Sequence, residues 1–437
     1  MHGAEVVTAT YLKQARPAAS SAGGEVSRTV FEMLAEIKSR GVDAVRHYSR
    51  RLDGWDPSNF HVGEEEIAAA VDSVPEDLRD HIEFAQRQIG SFAEAQRGTL
   101  LDLEVETIPG VVLGHRNVPV GSVGAYVPGG RYPMLASAFM TILTAKVAGV
   151  ERIVACAPPH RPEEGIHPYM LYAMATSGAD EILCLGGVQA LGAMAFGAGV
   201  LEPVDMIVGP GNAYVAEAKR QLFGRVGIDL HAGPTEIVVI ADDSADPELV
   251  AADLLGQAEH GPASPAGLIT PSRGLASRTL DEVENLLKSW PTAEIAGVAW
   301  RDHGWIAVVD GDAEAVALAN ERAPEHLELQ VADARLDWYL HRLVNYGGLF
   351  VGDEATVVYG DKAIGTNHVL PTGRAARFTG GLWVGKFLKT LTYQRVTREG
   401  TEEVAPTAAA ISRAEQFEGH AVTAEMRLRR AARTAEQ

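Results

Sequence analysis

Cysteine is nearly absent: only Cys156 and Cys184 occur, each inside an apolar, strand-like run (IVACAPP and EILCLGG). That excludes a disulfide framework and fits a reducing, cytoplasmic setting. Neither thiol has a second one near it in sequence, so a thiolate zinc site is excluded too, and both read as small core residues. No apolar run approaches the roughly 20 residues that a membrane-spanning helix needs. The N-terminal stretch lacks a basic head followed by an apolar segment, so no secretory signal is expected. Positive charge is in deficit, with 38 Lys and Arg against 58 Asp and Glu for a net charge of −20. Such a balance argues against nucleic acid as the main partner, although it permits a local basic pocket for a small anion. Also missing is a G-x-G-x-x-G between a strand and a helix, so any dinucleotide must bind by a variant scheme.

What is present is a chain of 437 residues, 46% hydrophobic and 22% charged, too long for one ordinary core. From about residue 29 to 100 the apolar positions Phe31, Leu34, Ile37, Val42 and Val45 recur at helical spacing, with a turn at Gly41. Between about 107 and 270 short apolar segments (VGAYVPG, RIVACAP, EILCLGG, DMIVGPG, IVVIADD, AGLIT) alternate with amphipathic stretches. That alternation predicts βαβ units and largely parallel sheets. WIAVVDG and GGLFVGD add two strand candidates, and from about 380 the pattern is mainly helical with a basic end, RLRRAAR. The predicted class is α/β.

Five stretches offer chemistry. GPGNAYVAEAKRQ, from Gly209 to Gln221, puts a Gly-Pro-Gly turn before a helix whose free N–H groups can face a pyrophosphate; the plainer reading is a tight turn and cap. DLLGQAEHGP sets Gln257 and His260 on one helical face, where two neutral groups can clamp a metal. RAPEHLEL places Glu325 beside His326, a proton acceptor and a second base, or else a capped surface helix. GDKAIGTNHVLPTG holds Asp361 and His368 in a loop whose composition rarely serves packing alone. AEQFEGHAVTAEMR carries Glu415 and His420, where a lone histidine is equally a surface residue.

Taken together and in order, these pieces resemble the histidinol dehydrogenase family from about residue 25 to 428, most closely in SVGAYVPGG, GPGNAYVAEAKRQ, AGPTEIVVIAD, DLLGQAEHGP, APEHLEL and GTNHVLPT. The resemblance implies a zinc held by Gln257, His260, Asp361 and His420, the last given by the partner subunit of an intertwined homodimer. It implies that His326 is the general base and Glu325 the activator of water. It places Thr235, His368 and Glu415 at the substrate, and Tyr126, Gln189 and Asn212 at the NAD cofactor. The implied fold has two Rossmann-like domains with a helical N-terminal part and a helical C-terminal tail. We expect an arm at 1–24, a first domain at 25–118 and 236–378 with the zinc and catalytic residues, a second, NAD-side domain at 119–235, and an exchanged tail at 379–437. The implied reaction is oxidation of a small primary alcohol through an aldehyde to the carboxylate.

Two stretches depart from the biosynthetic pattern: TGRAARFTGGLWVGKFLKTLTYQ after the TNHVLPT loop, and PGGRYPMLASAFMT, with Arg131 and Tyr132. Both resemble a paralogous branch of the family that includes sulfopropanediol dehydrogenase, which oxidises a sulfonated diol. Arg374, Arg377, Lys386 and Lys389 form a basic cluster near the pocket loop. The expected substrate is therefore an anionic diol such as 2,3-dihydroxypropane-1-sulfonate, with Arg374 and Arg377 as its partners; a solvated basic face is the plainer reading. L-Histidinol is the alternative substrate. A catalytically inactive zinc-binding regulatory protein is the alternative of another class, against which Glu325, His326 and the full ligand set stand.

Overall fold

The computed structural model describes residues 9–16, 22–129, 132–160, 164–230 and 233–435; Arg131 lies outside them. The chain divides into two compact units, Met1–Ala95 with Val120–Lys386, and Gln96–Pro119 with Phe387–Gln437.

The first unit contains two sheets. One has the spatial order Thr10–Lys13, Trp305–Val308, Ala266–Thr270, Ile237–Ala241, His326–Gln330, Gly348–Val351. All neighbours are parallel except the first strand, which runs antiparallel along the edge. The segments IVVIA, AGLIT and HLELQ are buried along their whole length, as strands covered by helices on both faces must be. Ile237, Val239 and Ala241 point into one core, packed by the Pro247–Ala258 and Arg273–Leu287 helices. Val238 and Ile240 point into the other, with Ala315 and Ala319 of the Asp312–Arg322 helix. The residues expected as an arm thus supply an edge strand, because Tyr11 packs on the second core and Leu12 on the first.

The second sheet, Glu181–Cys184, Arg152–Ala157, Ser122–Tyr126, Met206–Val208, Gly227–Ile228, is wholly parallel and wound in the same order. Both cysteines are buried in it. The N-terminal helices Ala22–Arg40 and Val42–Asp53 pack on this side of the protein, against the helices Gly187–Phe196 and Ala213–Leu222. The sequence grouping of 25–118 with 236–378 therefore differs from the packing. The reason is a close fit: Val30, Met33, Leu34 and Ile37 share one core with Leu191 and Met194, and a Cβ on Gly192 would come within 2.9 Å of Ile37.

The second unit holds an antiparallel sheet of Leu103–Ile108, Val111–Pro119 and Leu388–Val396, followed by the helices Arg398–Ala414 and Glu418–Ala435. The tail is therefore not helical throughout. LKTLTYQRV is exposed at most positions and carries no buried stripe; its nine-residue pairing with Val111–Pro119 is what makes it a strand.

In the second sheet the turn after Met206–Val208 is fixed by a buried ion pair. Gly209 has φ 115°, and a Cβ there would lie 2.1 Å from the Tyr126 carbonyl oxygen, so only glycine fits. Its N–H donates to Asp229 Oδ2 at 2.8 Å, and its carbonyl accepts from Lys219 Nζ at 2.9 Å. Lys219 and Asp229 also pair directly, with 2% and 0% of their side chains exposed. Lys219→Met leaves the Asp229 charge buried and unpaired, a loss of about 3–5 kcal/mol. Urea unfolding checks this; a Lys219→Met/Asp229→Leu double variant should recover part of the loss.

Candidate functional site

Parallel neighbours begin at the same edge of a sheet, so Thr235, just before Ile237–Ala241, and Glu325, just before His326–Gln330, stand side by side. That amino edge and the carboxyl edge of the five-stranded sheet wall one cavity of about 730 Å³. Its lining includes Tyr126, Asn212, Thr235, His260, Glu325, His326, Asp361 and His368. A second cavity of about 500 Å³ shares His260 and Asp361 with it and adds Gln257 and Lys362.

Hydrogen bonds at the amino edge fix the chemistry of each group. Glu325 Oε2 accepts from Thr235 Oγ1 at 2.5 Å and from the Glu236 backbone N–H at 3.0 Å. Gln257 Nε2 donates to Thr235 Oγ1 at 2.5 Å, which leaves the amide oxygen over for a ligand. His326 Nδ1 lies 3.0 Å from the Glu236 carbonyl oxygen. A carbonyl can only accept, so Nδ1 carries the hydrogen, and the longer 3.3 Å approach of Gln257 Nε2 is a contact between two donors. Nε2 is then the basic nitrogen; it is buried without a hydrogen-bond partner, 3.6 Å from Asp361 Oδ1.

Burial pushes the Glu325 carboxyl up to about 7. It works to lower the His326 imidazole, but the Glu325 and Asp361 carboxylates outweigh it and raise that ring to about 9. For Asp361 burial is likewise outweighed, here by His326, and the carboxyl is held well below the usual range. His260 is lowered by burial. A neutral imidazole, an ionised carboxylate and an amide oxygen are a donor set that suits zinc. Among the described residues no group of three or more His, Cys, Asp or Glu is placed to hold a metal; one of the expected ligands is an amide, and His420 belongs to the other unit.

The other expected residues divide. Tyr126 is buried and accepts from the Gly187 N–H at 3.2 Å. Asn212 caps the Ala213–Leu222 helix, accepting from the Tyr214 and Val215 N–H groups. Gln189 is fully buried behind the lining, where its Nε2 donates to Asp53 at 2.7 Å. Arg374 and Arg377 are exposed and are not among the residues that line either cavity. Thr372 is drawn inward by the Gly233 N–H at 2.6 Å, and the turn that follows carries both arginines outward. Lys386 donates to Thr379, and Lys389 is exposed on the Leu388–Val396 strand. Glu415 and His420 are exposed in the second unit, with His420 against the Phe417 ring at 5.3 Å. Lys362 and Asp53 were missed in the sequence: the first is masked by its neighbour Asp361, and the second lies far from any motif.

The family profile described as histidinol dehydrogenase matches residues 15–428. A histidinol dehydrogenase homolog of Shouchella clausii (strain KSM-K16) is 55% identical over 424 residues, covering 97% of this chain and 99% of its own. Sulfopropanediol 3-dehydrogenase of Ruegeria pomeroyi (strain ATCC 700808 / DSM 15171 / DSS-3) is 47% identical, covering 97% of each. The crystal structure of histidinol dehydrogenase from Elizabethkingia anophelis superposes with a TM-score of 0.89 at 35% identity, over 95% of this chain and 94% of that one. NAD and zinc are typical of the family.

His368 gives a pH prediction. Its Nδ1 faces the Asp361 carbonyl at 3.1 Å and its Nε2 the Ser137 hydroxyl at 3.0 Å, while burial lowers it to about 4. The unfolded chain, with an ordinary histidine near 6.5, then binds the extra proton between about pH 6.5 and 4. Stability contributed by neutral His368 is complete above that window and is lost as pH falls through it. Urea midpoints measured from pH 7 to 4 should fall, and His368→Gln should flatten part of the slope.

Proposed function

The chain belongs to the histidinol dehydrogenase family, and from that premise we propose that it is a zinc-dependent, NAD-linked dehydrogenase of a small primary alcohol. The observation that carries this is the unpartnered Nε2 of His326, a base atom aimed beside Asp361. Gln257, His260 and Asp361, with His420 of the partner subunit, would hold the zinc. When bound, zinc supplies a Lewis acid for the alcohol oxygen and NAD a hydride acceptor. His326 takes the hydroxyl proton on Nε2 while Nδ1–H keeps the ring oriented on the Glu236 carbonyl. With Asp361 engaged as a ligand, only Glu325 and the Glu236 carbonyl remain to raise His326, which moves Nε2 toward the neutral form that a base requires. Glu325, raised to about 7, can take a proton from water near neutral pH. That suits oxidation of the aldehyde to the carboxylate, so that one alcohol and one water consume two NAD.

We further propose that the substrate is an anionic diol of the 2,3-dihydroxypropane-1-sulfonate kind. Two observations support it: the 47% identity to a sulfopropanediol dehydrogenase, and Lys362, whose Nζ is 3.8 Å from Asp361 Oδ2 with half its side chain exposed. Lys362 is the one lysine or arginine that lines either cavity among the described residues. It thus takes the part expected of Arg374 and Arg377. L-Histidinol is the competing substrate, supported by a histidinol dehydrogenase of Gluconobacter oxydans (strain 621H) at 43% identity over 92% of this chain. The working form is proposed to be the homodimer. Ile411, Val422 and Met426 are exposed on the two C-terminal helices and Phe417 in the turn between them, and a second copy is the natural cover for them.

His326→Asn should lower kcat by roughly a hundred- to ten-thousand-fold with zinc content unchanged, whereas His260→Ala should lose the metal, as elemental analysis would show. Retained zinc in His260→Ala would overturn the ligand assignment. In a substrate panel, the sulfonated diol should yield two NADH per molecule and L-histidinol little. Lys362→Met should raise KM for the sulfonated diol roughly tenfold or more and spare an uncharged diol. Efficient turnover of L-histidinol with none of the sulfonated diol would decide for the alternative.

A further inference from the structure

In doubly wound sheets that bind a dinucleotide, an acid near the end of the second strand commonly holds the adenosine ribose through its hydroxyls. In the five-stranded sheet that strand is Arg152–Ala157, and it is followed by Pro158, Pro159 and His160, none of them acidic. A carboxylate reaches the place from another part of the chain. Asp53, the last residue of the Val42–Asp53 helix, lines the 730 Å³ cavity together with Tyr126, Pro158 and Gly187.

Several contacts hold Asp53 there. The helix stops at Gly54, which adopts the left-handed conformation with φ 63°. The chain beyond is tied down by Trp55, whose Nε1 donates to the Cys184 carbonyl at 2.9 Å and whose own carbonyl accepts from Ser49 Oγ at 2.7 Å. Gln189 Nε2 donates to Asp53 Oδ2 at 2.7 Å. A Cβ placed on Gly186 would lie 3.3 Å from that oxygen and 2.7 Å from Pro158 Cβ, so the carboxylate sits between the loops that follow the second and third strands. No lysine or arginine lines this cavity among the described residues, and a 2′-phosphate would meet the Asp53 carboxylate as a like charge.

We propose that Asp53 accepts hydrogen bonds from the hydroxyls of the NAD adenosine ribose and excludes NADP, with Gln189 as the positioning residue that aims it. The inference rests on the NAD reading. Two hydroxyl donors satisfy the carboxylate, whereas a phosphate in their place meets it as a like charge.

The test is direct binding of NADH and NADPH to the zinc-loaded protein without substrate, followed by the fluorescence of the reduced nicotinamide. The wild type should bind NADH at least a hundredfold more tightly than NADPH. Asp53→Ser should weaken NADH by roughly ten- to a hundredfold, the worth of a charge-assisted hydrogen bond, and narrow the NADH-to-NADPH ratio at least tenfold. Asp53→Asn keeps the shape of the side chain and should narrow the ratio in the same direction, which covers a failure of the serine variant to fold. A wild type that binds neither nucleotide would sink the NAD reading itself. Preference for NADH that survives both substitutions, or equal binding of the two nucleotides by the wild type, would overturn the role given to Asp53 alone.

Discussion

The hydrogen bonds that Thr235 Oγ1 and the Glu236 N–H give to the buried Glu325 carboxylate are the constraint on which the site depends. They tie the start of one central strand to the start of its parallel neighbour. A buried carboxylate without donors would be strongly disfavoured. Burial pushes it up, and the neighbouring His326 together with these two donors holds it to about 7. Gln257 and His326 are oriented by the same bonds. Thr235, having donated to Glu325, accepts from Gln257 and so turns the amide nitrogen inward. Glu236, once its N–H is engaged, presents its carbonyl to His326 Nδ1. The tautomer of His326, and with it the existence of a free Nε2, follows from a bond made by its sequence neighbour.

The two sheets of the first unit are wound alike, yet they face the cavity with opposite ends. The five-stranded sheet uses its carboxyl edge, where the strand order reverses between Ser122–Tyr126 and Met206–Val208 and where doubly wound folds bind ligands. The six-stranded sheet uses its amino edge. At its own carboxyl edge, beside a smaller cavity of about 320 Å³, Arg335 donates to Asp242 at 2.9 Å and also pairs with Asp312, which accepts from Tyr339 at 2.8 Å. One sheet therefore presents loops and a helix N-terminus to the cavity, and the other presents Thr235, Glu325 and His326 from the starts of two strands. Side chains on strand starts are held more firmly than side chains on loops, as a base requires.

Much of this was legible in the sequence wherever a residue's role is local. Gln257 and His260 sit within one turn, Glu325 and His326 are adjacent, and the apolar strands of both sheets announce themselves as short runs between helical patterns. What was not legible depends on distant partners. Leu388–Val396 is a strand because Val111–Pro119 lies beside it, and its own residues alternate without burying a face. Asp53 ends an ordinary surface helix in the sequence, and only the packing of that helix on Gly187–Phe196 brings it to the cavity. Arg374 and Arg377 were attractive because they are near His368 in sequence, but the inward pull on Thr372 puts them outside. Lys362, one residue from Asp361, was hidden because its neighbour already had a role.

An anionic substrate and an anionic cofactor for a chain of net charge −20 look mismatched, but the scale of screening removes the conflict. At physiological ionic strength charges separated by more than about 8 Å of solvent are largely screened, so most surface carboxylates contribute little inside a cavity. What counts there is the short list of groups in the walls. Beside the second cavity these are Lys362, His260 and Asp361, with Asp253 and Glu259. The two acids beyond Asp361 are already satisfied, Asp253 by Gln330 and Thr356 and Glu259 by Thr292. On the proposed reading, a divalent cation held by Asp361 among neutral ligands would offset the two further carboxylates of the same wall. Lys362 then adds to the pull on an anion, whereas an ammonium group would meet two cations together.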